Sequence, residues 1–131
     1  MDTPEELRYS SDHEWVRIKD SLALIGITDF AQDALGDVVY VELPDVGLVV
    51  SANAAFAEIE STKSVSDVFA PISGEVAEIN DALEDRPELV NEDPYGEGWV
   101  CAIKPSETSE LEQLMDAKSY EKFVLEENKE D

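Results

Sequence analysis

The stretch Ala54–Ile72, AAFAEIESTKSVSDVFAPI, holds two apolar, strand-like runs around a polar centre, Glu60–Asp67, that occupies the place of a hairpin turn. That centre contains no Gly, Pro or Asn, the residues that usually make such turns. It offers Ser61, Thr62, Ser64 and Ser66 instead, whose hydroxyls form side-chain turns, and it carries a lysine, Lys63, at its middle. Apolar strands on both sides hold such a tip rigidly, and small neighbours leave the ε-amine open to approach.

Further strand-like segments surround this hairpin. EWVRIK (14–19) and SLALIGI (21–27) read as a second hairpin, and DVVYVEL (37–43) as a strand stopped by Pro44. LVV (48–50), GEVAEIN (74–80) and WVCAIK (99–104) follow as short strands. Thr28 caps a predicted short helix, DFAQDALG, with Asp29 in its first turn and Gly36 just past its end. NDALEDRPEL is a loop or one helical turn broken at Pro87, and NEDPYGEG is a cluster of turns. From Ser106 the spacing of Leu111, Leu114 and Met115, then Tyr120, Phe123 and Val124, is helical. Ser109 and Glu112 fit a capping box, Asp116 caps a second helix, and EENKED is expected to fray. VELPDVG (41–47) and VFAPISG (68–74) share V-x-x-P-x-x-G, which suggests two similar β motifs flanking the lysine segment.

The chain has 131 residues, enough for one domain with a real core, here about 7–104 with a helical extension at about 106–126. Thirty-two acidic residues against nine Lys and Arg give a formal charge of −23. That surface repels nucleic-acid phosphates and anionic lipid and favours a soluble monomer with basic protein partners. The N-terminus lacks the basic and apolar regions of a secretory signal, no apolar run is long enough for a membrane span, and the single Cys101 forms no internal disulfide. A cytoplasmic setting follows.

The usual catalytic constellations are mostly missing. His13 is the sole histidine, no glycine-rich phosphate loop occurs, and no serine lies in G-x-S-x-G. Paired carboxylates carry no signal where acidic residues are so common. Lys63 stands apart: between Lys19 and Lys104 the only cations are Lys63 and Arg86, set among eighteen carboxylates. A lone lysine is ordinarily a solvated turn residue. A rigid, exposed and sterically open amine is also what covalent attachment requires.

The chain resembles the H protein of the glycine cleavage system, a lipoyl carrier family, from about Leu7 to the C-terminal helices. The likeness is carried by HEW (13–15), IGITDFAQDALGDVVYVELPDVG (25–47), EIESTKSVSDVFAPISGEV (58–76), NDALEDRPELVNEDPYGEGW (80–99) and SELEQLMDAKSYEKF (109–123). Gly47, sixteen residues before the lysine, and Gly74, eleven after it, are landmarks shared with lipoyl domains generally. Biotinyl domains flank their lysine with methionines, unlike Thr62 and Ser64 here. Lipoyl domains of 2-oxo acid dehydrogenases lack the HEW and NEDPYGEGW segments.

The resemblance implies a mainly β barrel-sandwich hybrid with a short internal helix and C-terminal helices. It implies lipoic acid in amide linkage to Lys63, with Glu60 recognised by the lipoate-attaching enzyme, and no catalytic activity of its own. The partners implied are a pyridoxal-phosphate glycine decarboxylase, a tetrahydrofolate-dependent aminomethyltransferase and the flavin enzyme dihydrolipoamide dehydrogenase. The arm would carry an aminomethyl group and then electrons among them, with a reach of roughly 14 Å from about eleven bonds. Glu14 and Asp67 would line a groove that receives the loaded arm. Asp12 stands where many relatives have a small hydroxyl residue. Two other roles share these features: a relay that passes lipoyl or octanoyl groups to other proteins, and an acidic, non-catalytic interaction module. The net charge predicts that association with the decarboxylase weakens as ionic strength rises. Binding measured across a salt series checks this, and salt-independent affinity would refute it.

Overall fold

The computed structural model describes residues 2–129. The strands are β1 (Arg8–Tyr9), β2 (Glu14–Lys19), β3 (Leu22–Ile27), β4 (Val38–Glu42), β5 (Val49–Val50), β6 (Ala55–Ser61), β7 (Val65–Phe69), β8 (Gly74–Ile79) and β9 (Cys101–Pro105). The helices are α1 (Asp29–Leu35), α2 (Ala82–Asp85), α3 (Leu89–Glu92) and α4 (Ala117–Lys129), with a 3₁₀ turn at Thr108–Gln113. Strands run in the order β1-β2-β3-β9-β8-β5 in one sheet and β4-β6-β7 in the other. Two open, mainly antiparallel sheets of this kind around one core make the barrel-sandwich hybrid. No described helix is long and apolar enough to cross a membrane.

The core lies between the sheets. Ile25, Ile59, Ile72, Val76 and Ile103 are almost completely buried there. Cys101 joins them, and burial pushes its thiol up to about 12, so it acts as a small apolar side chain. A second, aromatic-rich cluster holds Leu7, Tyr9, Trp15, Tyr95, Ala117, Tyr120 and Val124. It seats α4 against the start of the chain, and Tyr9 exchanges backbone hydrogen bonds of 2.8 Å with Met115.

The two V-x-x-P-x-x-G segments occupy related places. The first contains the end of β4 and the second the end of β7, the two neighbours of β6. The strands beyond their glycines, β5 and β8, pair with each other. The glycines themselves act differently. Gly47 has φ +95, a backbone region that favours glycine, and donates to the Val76 carbonyl at 2.8 Å. Gly74 lies where β8 meets β9, and a Cβ there would fall 2.2 Å from the Lys104 carbonyl oxygen.

Most expected elements form. Thr28 caps α1 by accepting from the Ala31 N–H, and Gly36 closes it with φ +85. The β2–β3 turn places Asp20 and Ser21 at φ +52 and +69, the left-handed pair that suits a two-residue hairpin. Three details differ. The two-residue β1 is too short to leave an alternating pattern. The capping box does not form: Ser109 donates to Glu107, and the segment winds as 3₁₀. The neighbouring Glu110 is tied to Ser73, whose N–H and hydroxyl donate to its carboxylate at 2.7 and 2.9 Å. Finally, α4 continues to Lys129, past the expected fraying point, while Glu130 and Asp131 lie outside the described residues. Asp116 does cap α4, accepting from the Ser119 N–H at 2.8 Å.

Because the β9 backbone cannot yield to a methyl group, Gly74→Ala should destabilise the fold by about 1–3 kcal/mol. Urea unfolding measures this, and a neutral substitution would show that β8 and β9 can separate at no cost.

Candidate functional site

The turn joining β6 to β7 is built by one serine. The Ser61 hydroxyl accepts from the Lys63 N–H at 3.2 Å and the Ser64 N–H at 3.1 Å, while the Ser61 N–H donates to the Ser64 carbonyl at 2.8 Å. A side-chain oxygen thus does what a glycine-dependent backbone would do elsewhere. Lys63 is exposed at the tip and has no ion pair among the described residues. Its stem lies over Gly36, where a Cβ would stand 3.2 Å from Lys63 Cε.

Glu60 sits beside the tip on the outer face of the three-stranded sheet, in a cross-strand row between Tyr40 and Val65. All three are exposed, so carboxylate and apolar surface are presented together next to Lys63. The row two residues further along contains Glu42, Glu58 and Asp67.

A groove of about 200 Å³ runs beneath α1. Phe30, Ala31, Ala34 and Leu35 of α1 form one wall, Ile59, Ser66 and Val68 the other, and Asp12, His13 and Glu14 close it. Leu35 precedes Gly36, so this wall leads up to the Lys63 stem. Glu14 is 2% exposed. Its carboxylate accepts from the Ser10 hydroxyl at 2.5 Å and the Phe69 N–H at 3.1 Å. Burial pushes its pKa up to about 7, against the opposing pull of those two hydrogen bonds, with the nearby charge of Asp12 adding a smaller upward push. A cation entering the groove would favour the charged form of this group.

Asp67 also borders the groove, so the structure brings it together with Glu14 and Asp12. The alternation of β7 pairs Ser66 with Ile59 and Asp67 with Glu58. Asp67 therefore stands on the rim, bordering a second, acidic depression on the outer face as well. Gly47 and Gly74 belong to the β5–β8 side of the other sheet, away from the hairpin that carries the lysine.

Three contributors leave little trace in the sequence. His13, at φ +70, is hydrogen-bonded through Nδ1 to the Tyr120 hydroxyl at 2.8 Å and faces Glu127 through Nε2 at 3.1 Å. Burial lowers its pKa, opposed by Glu127 and Asp12. Tyr120 continues to the Thr28 hydroxyl at 2.7 Å, so α4 ties the N-cap of α1 to the strand that bears Glu14. Asn91 holds the other end of α1. Helical spacing places Tyr120 on a buried face, and His13 and Asn91 fall within segments that carry the family resemblance, but none of these signals gives their contacts.

The sequence profile of the glycine cleavage H-protein family matches residues 7–127. The chain is 60% identical over 126 residues to the glycine cleavage system H protein of Anaeromyxobacter sp. (strain K), covering 96% of this chain and 98% of that protein. It is 52% identical over 126 residues to that of Geobacillus kaustophilus, covering 96% and 99%. The crystal structure of a glycine cleavage system H protein from Mycobacterium marinum superposes with a TM-score of 0.83 at 42% identity, covering 89% of this chain and 94% of that one.

The folded state holds the Glu14 proton more tightly than the unfolded chain, so Glu14 contributes stability at low pH that is lost as pH rises. Relative to Glu14→Gln, the wild type should lose about 3 kcal/mol of unfolding free energy between pH about 4.5 and about 7. Paired denaturation curves across that range test this, and a pH-independent difference would sink it.

Proposed function

The chain belongs to the glycine cleavage H-protein family, and on that premise we propose that it is the cytoplasmic lipoyl carrier of that system, with the cofactor amide-linked to Lys63. The observation that carries the assignment to Lys63 is an exposed lysine on a stiff hairpin whose stem adjoins a groove ending at a buried carboxyl. The residues present fit such a group. The groove offers an apolar wall to a hydrocarbon chain and polar side chains at its closed end, which matches an arm with an apolar shaft and a polar head.

When attached, lipoate supplies a dithiol that can carry a one-carbon amine unit and then a pair of electrons. The protein's own part is to bind, orient and shield. Ser61 stiffens the tip, and Gly36 leaves room for the lysine stem. Phe30, Ala31, Leu35 and Ile59 exclude water from the groove, while Glu14 and Asp67 accept hydrogen bonds from an ammonium brought there. Glu60 is the recognition residue for the attaching enzyme, and its exposed place beside Tyr40 and Val65 makes it accessible. The partners in this reading are the pyridoxal-phosphate decarboxylase, the tetrahydrofolate-dependent aminomethyltransferase and dihydrolipoamide dehydrogenase. The acidic surface suits basic patches on them.

Expression with lipoate and its ligase should add one lipoyl group, located on Lys63 by peptide mapping. Lys63→Arg should keep the fold and abolish glycine cleavage in a reconstituted system. Modification at another lysine would overturn the assignment. Retained cleavage by Lys63→Arg would leave an acidic interaction module in its place.

A further inference from the structure

Among the described residues, the lysine turn (62–64) makes one backbone hydrogen bond beyond its own hairpin: the Thr62 N–H donates to the Asp37 carbonyl at 3.0 Å. That carbonyl belongs to the peptide unit joining Asp37 to Val38. The N–H of the same unit, on Val38, donates to Asn91 Oδ1 at 2.8 Å. A peptide group is planar and trans, so its N–H and C=O point in opposite directions. Fixing the N–H on Asn91 therefore aims the carbonyl at Thr62.

The same asparagine holds the segment just before this unit. Its Nδ2 donates to the Gly36 carbonyl at 2.9 Å and to Gln32 Oε1 at 3.0 Å. Gln32 Nε2 in turn donates to Asp29 Oδ1 at 2.8 Å, which fixes the direction of both amides. Asn91 thus uses three of its four hydrogen-bonding positions on α1, the start of β4 and the connection between them. Gly36 also contacts the lysine stem, so both supports of Lys63 outside its hairpin, Gly36 and the Asp37 carbonyl, are held by this one side chain.

We propose that Asn91 is a positioning residue for Lys63: by orienting the Asp37–Val38 peptide it sets the direction in which the hairpin tip presents the amine to the enzyme that acylates it. This rests on the reading that Lys63 is the acylated residue. A bond made to a peptide plane transmits orientation, whereas packing against the tip would cover the amine that must stay open.

The test compares wild type, Asn91→Ala and Asn91→Asp as substrates of a lipoate ligase supplied with lipoate and ATP. Hydrogen exchange is measured in parallel at the Thr62 amide and at the Val100 amide, a core reference that donates to Ile25. For Asn91→Ala, kcat for attachment at Lys63 should fall about tenfold with KM within about twofold, because docking survives and the presentation of the amine does not. Thr62 exchange should accelerate while Val100 stays protected. Asn91→Asp keeps an acceptor for the Val38 N–H but sets a carboxylate oxygen against the Gly36 carbonyl and Gln32 Oε1, so it should restore Thr62 protection and only part of kcat. Should Asn91→Ala fail to fold, this variant decides: loss of both readouts overturns the proposal, and retention supports it. Unchanged kcat in Asn91→Ala overturns it whatever Thr62 does. Equal acceleration of Thr62 and Val100 also overturns it, by revealing general destabilisation. If wild type is not acylated at Lys63, the functional reading fails and the proposal with it, while Thr62 exchange still reports whether the brace exists.

Discussion

A lysine proposed as the site of acylation cannot be held by packing, because the atoms that would hold it would also cover it. Lys63 is steadied instead through its backbone and the base of its stem. Ser61 closes the turn from within, Asp37 receives Thr62 from outside, and Gly36 lies under the methylenes. Each of these contacts leaves the amine in solvent. Glycine would have made the same turn, but with greater conformational freedom, which works against a defined presentation.

The helix α1 converts that local stiffness into a groove. Seven residues form too short a helix to persist alone, so its position depends on what pins its ends. Tyr120 fastens the N-cap through Thr28, and Asn91 fastens the C-terminal end through Gln32 and Gly36. Between these pins the apolar side chains of α1 roof a space whose closed end contains Glu14. The buried carboxyl raises the energy of the empty, charged site, and an incoming cation relieves that cost. A cation entering the groove would therefore assist the ionisation that burial opposes.

Much of this was legible in the residues. The hairpin around Lys63, the Thr28 cap, the Gly36 stop and the buried Cys101 all follow from local patterns of apolarity, capping and turn chemistry. The groove pair Glu14 and Asp67 came from resemblance, and β7 then refined it: pleating sets Ser66 toward the interior row and leaves Asp67 on the rim. What stayed hidden shares one physical character. Asn91 reaches partners 53 to 59 residues away, and Tyr120 reaches His13 and Thr28 across 107 and 92. A side-chain hydrogen bond over such a span imposes no period on either segment. The failed capping box is a local matter instead, since the Ser109 hydroxyl donates to Glu107 two residues away.

The meeting of Tyr9 with Met115, and of His13 with Tyr120, sets an order in time. The first strand and the wall of the groove depend on the last helix, so they cannot be completed while that helix is still inside the ribosome. The hairpin bearing Lys63 is a local structure and is synthesised well before it. A growing chain would thus form the hairpin that displays Lys63 before the last helix emerges to complete the groove beside it.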